Sequence, residues 1–468
     1  MKSIAHTIKK SLLSKRTWVY GSFVSILTMA VACESFVKID PPKTQLINTV
    51  VFQSDATATS ALTGIYSKMM EALAGSFANY KVNLCGGLSS DELKDYSNNV
   101  TQAGFYTNSL LANNSNVQSL WNDAFLYIYM ANSVVEGLAG STGVTPAVHQ
   151  QLEGEAKFIR AFCHFYLTNL FGDIPYIKTT DYTANASVGR SPQLEVYQKI
   201  IADLIDAQTL LSDTYISTEK VRPNKSTATA LLARAYLYTQ DWANAVTQAS
   251  AVIGAGYTLS PLSGVFLKNS SEAIWQLMPE VSGYNTFEGN WFVLSSTAAP
   301  TNVTASDSLF NAFKPGDNRK TSWLANVTVA GKTYYFPNKY KVKTGTTVSE
   351  YYMMFRLAEQ YLIRAEALAQ QNSIAQAVAD LNTIRVRTGL VPFPTTLSQA
   401  QCLAAVEQER RIELFCEWGH RWFDLKRTNR ADAVLSVSKP GWQTTDALFP
   451  IPQTQLTNDQ NMAQNPGY

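Results

Sequence analysis

Two stretches of this 468-residue chain share one internal spacing, and that spacing dictates a pair of closely packed helices. In ALLARAYLYTQDWANAVTQASAVI, Tyr236 is followed nine residues on by Ala245, then by Ala249 and Val252. In QYLIRAEALAQQNSIAQAVADLNTI, Leu368 is followed nine on by Ala377, then by Leu381 and Ile384. Apolar side chains at helical spacing line one face of each segment. Small residues on that face let two antiparallel helices approach closely across a short turn. The two units lie far apart in the chain, so they are not a tandem array, and other elements must be inserted between them.

Each unit resembles a tetratricopeptide helix pair. Further helical periods flank them. DATATSALTGIYSKMMEAL places Ala61, Ile65, Met69 and Leu73 on one stripe, so the body starts near Asp55. A polar stretch rich in Asn, Ser and Gly follows over about 75–117, and the helical period resumes at Trp121. QLEGEAKFIRAFCHFYLTNLFGDIP reads as a long helix stopped by Gly172 and Pro175. The main insertion, 256–350, loses helical period and contains short β-type runs such as AIWQLM and VTVAGKTYYF. These signals predict a mainly α fold: a helix-pair scaffold carrying a loop-rich, aromatic-rich subdomain. Helices on both sides of the insertion need each other's faces, so 55–468 is read as one domain.

The first 54 residues have a different character. Lys2, Lys9, Lys10, Lys15 and Arg16 precede an uncharged run, Trp18–Ala32, that ends at Cys33. A basic start, an apolar middle and small residues before the cut form a secretory signal, too short for a membrane span. Ala30-Val31-Ala32-Cys33 resembles the lipobox of bacterial lipoproteins, with Ala30 where Leu is usual. Residues 1–32 are therefore expected to be removed and Cys33 to carry lipid. Residues 33–54, with Pro41-Pro42, read as an extended tether. Cleavage removes five basic residues and no acidic one, taking the formal charge from +2 to −3. That near-neutral balance argues against a nucleic-acid binder. Cys85, Cys163, Cys402 and Cys416 could form two disulfides, but helical, apolar surroundings favour buried free thiols for Cys163 and Cys416.

Five motifs in register carry a family resemblance. EAKFIRAFCHFYLTNLFGDIPYI is similar to the helix and FGD-P segment of the SusD/RagB family. FRLAEQYLIRAEALAQ…AVADLNTIRVRTGL resembles its R-x-x-E…R-A-E-A helix and N-x-x-R-x-R turn. EQERRIELFCEWGHRWFDLKR resembles its ER-x-x-EL…G-x-R-x-x-DL-x-R segment, and LFPIPQTQLTNDQNMAQNPGY its C-terminal ending. FKPGDNRKT and NKYK fit its intermediate landmarks. The resemblance implies an outer-membrane lipoprotein that faces the cell exterior and sits as a lid on a SusC-like, TonB-dependent transporter. Such a protein binds an oligosaccharide or polysaccharide and catalyses nothing. It also leaves open a peptide or other non-sugar nutrient as ligand. A helical-repeat envelope scaffold is a third reading.

Most charged motif residues read as architecture. Arg410, Arg411, Glu413, Glu417, Arg421, Asp424 and Arg427 mix both signs at helical spacing, and such groups pair with one another. His164 and His420 sit in helical motifs and read as packed. No CxxC, GxSxG, HExxH or phosphate loop occurs, so no metal, cofactor or catalytic set is expected.

A sugar ring offers an apolar C–H face and a rim of hydroxyls. Flat rings stack on the face while amides and charged groups bond the rim. Aromatics in polar loops are therefore the candidates, and helical Trp121, Tyr127, Tyr129, Trp242, Trp418 and Trp422 are not. One group is Tyr80, Tyr96, Phe105 and Tyr106 among Asp91, Asn98, Asn99 and Gln102. The other is Tyr284, Phe287, Trp291 and Trp323 among Asn285, Glu288 and Asn290. Arg319 is set aside as part of a family landmark. Trp291 is the leading candidate. A single platform would need both groups side by side, which sequence cannot show.

Overall fold

The structure is a computed structural model that describes residues 48–71, 76–295 and 298–468. The signal segment, Cys33 and most of the tether lie outside the described residues. Among the described residues, the short helix Asn48–Val51 belongs to one unit, and Phe52–Tyr468 forms the body. Among the described residues no helix is long and apolar enough to cross a membrane.

The body is a succession of antiparallel helices. Ser115–Ala139, Pro146–Phe171, Gln193–Leu210, Lys225–Tyr238 and Trp242–Ile253 each pack on the next. Trp242–Ile253 then packs on Leu357–Gln370, which pairs with Ile374–Arg387 and Gln399–Glu413. The two predicted pairs are thus neighbours in space despite the insertion between them. Ala233, Leu237, Ala245 and Ala249 bury against Ile363 and Ala367 at that seam. Leu368, Ala377, Leu381 and Ile384 form the equivalent contact in the second pair.

The repeat extends to the backbone of the turns. Gln240 and Asn372, each four residues after Tyr236 and Leu368, have φ of 60° and 61°. Asp241 N–H donates to Tyr236 O at 2.9 Å, and Ser373 N–H donates to Leu368 O at 2.8 Å. This is the left-handed helix terminus that satisfies otherwise orphaned carbonyls.

Both β-type runs in the insertion form strands. β1 (Leu93–Asp95) pairs antiparallel with β3 (Val303–Ala305). β2 (Ala273–Leu277) pairs antiparallel with β6 (Tyr352–Arg356), with a bulge around Trp275, and so ties the two ends of the insertion together. β4 (Leu324–Val329) and β5 (Lys332–Pro337) form a hairpin. Its two-residue turn, Ala330-Gly331, has φ of 49° and 78°, the mirror-image turn that matches strand twist.

The polar stretch holds helices that periodicity did not predict. Lys81–Ser89 is buried on every side, so no amphipathic stripe marks it. A Cβ at Gly86 would lie 2.9 Å from Gly419 Cα, which is why a small residue stands there. The next long helix starts at Ser115, earlier than its apolar period, because Asn114 Oδ1 accepts from the N–H of Asn116 and Val117.

The family motifs converge on buried ion pairs. Glu413, fully buried, meets Arg319 at 3.0 Å, Arg356 at 2.6 Å, and Arg387. Those arginines also bind Asp317, Glu272, Glu409 and Glu417, while Arg385 joins Glu409 and Lys339 joins Glu417. Arg410 and Arg427 share Asp424, and Arg427 also holds Glu366. The charged residues that could suggest acid–base chemistry are thus paired and closed to solvent, as the sequence implied. His164 and His420 are buried, and burial pushes the His164 imidazole down to about 3. Cys85, Cys163, Cys402 and Cys416 are all buried free thiols. The C-terminal ending packs down: Asn465 donates to Phe171 O and Phe449 O at 2.8 Å each. One expectation fails here. Trp121 and Tyr127 are core, but Tyr129 is 53% exposed.

Candidate functional site

The two aromatic loop groups meet at Asn302. The β1–β3 ladder runs directly into this contact: Tyr96 N–H donates to Asn302 O at 2.7 Å. The Asn302 amide donates to Trp291 O at 3.4 Å, and its Oδ1 accepts from Gln102 Nε2 at 3.2 Å. Gln102 also holds Asp95 at 2.9 Å, which fixes the start of the 95–99 loop. One residue therefore joins the backbones that carry Tyr96 and Trp291.

Trp291 sits on the short helix Phe287–Phe292, which opens at Thr286, whose hydroxyl accepts from Gly289 N–H at 3.0 Å. Lys343 Nζ closes the other end, donating to Asn290 O at 3.1 Å and Val293 O at 2.5 Å. A Cβ on Gly289 would lie 2.5 Å from Val342 O, so only glycine lets this helix lie so close to the 342–343 backbone. The Trp291 indole stacks on Tyr80, with centroids 5.4 Å apart and planes 14° apart. Tyr80 is buried below it, and Trp291 is half-buried above.

The hairpin supplies a ring that the sequence reading missed. Tyr334 on β5 meets Tyr96 edge-on at 5.6 Å. Lys332 Nζ lies 4.9 Å from the Tyr334 centroid and 5.7 Å from that of Tyr96, and Lys94 lies 5.5 Å from Tyr96. These are cation–π distances. Strand alternation in KTYYFP could have flagged it, since Tyr334 and Tyr335 must face opposite ways. Tyr335 indeed packs on Phe310 instead, at 4.0 Å.

Not every candidate joins this surface. Phe105 is fully buried against Phe449. Trp323 is 1% exposed, donates to Leu262 O at 3.0 Å, and has Lys339 over its ring. Phe287 is buried with Tyr284 stacked on it at 5.6 Å. Phe105, Trp323 and Phe287 are therefore corrected to core residues, whose rings no ligand can reach. Tyr284 keeps one half-buried ring beside Phe287. Tyr106 is half-buried under Lys439, 4.2 Å from its centroid, on the side of its helix that meets the C-terminal region. Asn98 is exposed in the loop beyond Tyr96.

The polar residues also divide. Asp91 is buried between Arg421 at 2.8 Å and Arg411 at 2.7 Å, so it does not serve a rim. Asn285 is buried and holds the backbone of Thr347, Ser349 and Glu350. Glu288 is buried, bonded by Asn83 and by Tyr352 at 2.8 Å, and burial raises its carboxyl to about 8. Glu92 is likewise raised to about 8 by burial. Both acids are sealed from solvent, so neither can reach a glycosidic bond. Among the described residues no group of His, Cys, Asp and Glu could hold a metal ion. The surface that remains offers ring faces, amides and ammonium groups, which suits stacking and hydrogen bonding.

The chain belongs to the SusD/RagB family. A family profile described as "Starch-binding associating with outer membrane" matches residues 36–237, and one described as "SusD family" matches residues 286–468. The SusD-like protein P2 of Formosa agariphila is 26% identical over 511 residues, covering 96% of this chain and 99% of that one. A SusD superfamily protein from Bacteroides vulgatus superposes with a TM-score of 0.79 at 20% identity, covering 89% of this chain and 100% of the other. A laminarin-binding SusD-like protein superposes with a TM-score of 0.75 at 26% identity, with the same coverage.

Proposed function

We propose that this chain is a carbohydrate-binding lipoprotein of the outer membrane that captures a glycan outside the cell. The observation that best supports this reading is the junction at Asn302, where the Tyr96 and Trp291 backbones meet and Tyr334 adds a ring edge-on to Tyr96. Indole and phenol faces stack on the C–H faces of sugar rings. The exposed Asn98 amide and the Lys94 and Lys332 ammonium groups reach the hydroxyl rim, while Gln102 and Asn302 brace the junction beneath. Family members named for starch and laminarin binding support the same ligand class. The chain carries out no reaction on the glycan and delivers it to a SusC-like, TonB-dependent transporter. Lipid on Cys33 holds it to the membrane, facing outward, while the tether lets the body move over the barrel.

The test is a binding screen of the full chain against laminarin, starch and other polysaccharides, with oligopeptides in parallel. Trp291→Ala should lose most glycan retention, and in cells Cys33→Ala should release an intact binder from the outer membrane. Binding of peptides and of no glycan would overturn the ligand class. Membrane retention of Cys33→Ala would overturn the anchor.

A further inference from the structure

The exposed ring that did not fit the helical reading, Tyr129, lines a cleft that shares no residue with the Asn302 platform. The cleft has a volume of about 380 Å³, within the range of preformed ligand sites. Its floor is the Ser115–Ala139 helix, where Phe125 and Tyr129 stand one turn apart. Phe125 is braced from behind by Trp121, with centroids 4.8 Å apart. One wall is the segment after the FGD-P helix exit, and the other is the C-terminal segment that contributes Gln455 and Asp459.

These walls are fixed in place by hydrogen bonds. Arg190 donates to Asp173 O and to Ala463 O, both at 2.8 Å, and so ties the two walls together. Asn132 on the floor helix donates to Ile177 O at 3.2 Å, and Glu136 accepts from Thr180 N–H at 2.8 Å. A cleft held in this way loses little entropy when a ligand enters.

The lining chemistry selects the ligand. Two aromatic faces are interleaved with the side-chain amides of Asn122, Asn185 and Gln455 and one carboxylate, Asp459. No lysine or arginine lines the cleft, so nothing in it calls for an anion. Ring faces beside neutral amides match a polyhydroxylated, uncharged ring.

We infer that this cleft is a second binding site for a neutral glycan, built by Phe125 and Tyr129 with amides from three separate segments. The inference rests on the carbohydrate-binding reading above. Two sites on one chain let one polysaccharide engage twice, which raises its retention without any stronger single contact.

The experiment is affinity electrophoresis of the full chain in gels containing laminarin, starch or a panel of other neutral polysaccharides. Trp291→Ala, Tyr129→Ala, Tyr129→Phe and the Trp291→Ala/Tyr129→Ala double variant are compared with the parent. Tyr129→Ala should weaken retention about tenfold, the usual scale for losing an anchoring ring. Tyr129→Phe should keep most of it, and the double variant should lose what either single variant retains. Equal melting temperatures will exclude unfolding, since Tyr129 is mostly in solvent. Parent-like retention by Tyr129→Ala of a glycan that Trp291→Ala loses would overturn the second site and leave the platform standing. Retention of no neutral glycan by the parent would overturn both.

Discussion

Replacing Glu413 with Gln keeps the side chain's size and one acceptor but removes its charge from the centre of a closed network. Five cations, Arg319, Arg356, Arg385, Arg387 and Lys339, balance five carboxylates there: Asp317, Glu272, Glu409, Glu413 and Glu417. Burial alone would raise the Glu413 carboxyl, but Arg387, Arg356 and Arg319 hold it well below the usual range. In Glu413→Gln one positive charge is left uncompensated in the interior, a loss of about 3–5 kcal/mol. An unfolding entropy of about 2.1 cal/mol/K per residue over roughly 400 residues is about 0.8 kcal/mol/K, so Tm should fall by about 4–6 °C. Calorimetry at pH 7 measures this directly. Added salt should leave the difference unchanged, because buried pairs are little screened. The advantage of Glu413 should persist above its unfolded-state value near 4.5 and disappear only as pH falls through its lower folded-state value. A Tm within about 1 °C of the parent at pH 7 would refute the reasoning.

Two other substitutions test the ground beneath the platform. Glu288 has a folded-state value of about 8 against 4.5 unfolded, so its contribution is full below pH 4.5 and is lost as pH rises through 8. The slope is roughly 1.4 kcal/mol per pH unit across that window for one such group. Glu288→Gln should flatten that part of the stability profile, and an unchanged profile between pH 5 and 9 would count against a buried neutral acid. Gly289→Ala forces a Cβ onto Val342 O. It should cost about 1–3 kcal/mol, the usual scale of overpacking, and should weaken glycan retention by displacing Trp291. Parent-like melting and retention would show that the helix and the 342–343 segment can part freely.

The helix pairs were legible because their spacing is a local property, and even their left-handed turns repeat at the same offset. The charged motifs were legible as architecture because both signs alternate at helical spacing. The platform was only half legible. Tyr96 and Trp291 were found from loop composition, but composition cannot separate a ring in solvent from one folded back into the core. Trp323 and Phe105 sit among polar neighbours in sequence and among Phe, Lys and backbone carbonyls in space. Tyr334 is hinted at locally only by the alternation of its strand, and its contact with Tyr96, about half the chain away, leaves no local signal. Asp91 looked free because Arg411 and Arg421, which neutralise it, lie more than 300 residues away. Tyr129 is misread when a helical position is itself treated as a sign of burial, although a residue two places after core-facing Tyr127 lies on nearly the opposite side of the helix.

The β2–β6 pairing has an evolutionary consequence. Its two strands form a neck whose far end, Arg356, is locked into the charge-balanced interior. The chain between Leu277 and Tyr352 leaves and returns through that neck, and it is tied to the scaffold again by β3 on β1 and by Arg319 and Lys339 in the charge network. Doubling the length of such a loop costs only about 0.6 kcal/mol in closure entropy. Insertions at its exposed turns, such as Ala330-Gly331, can therefore be sampled while the stem and scaffold stay folded. Between those ties the turns are free to lengthen, so a lineage could reshape the loops beside the platform without rebuilding what holds the segment together.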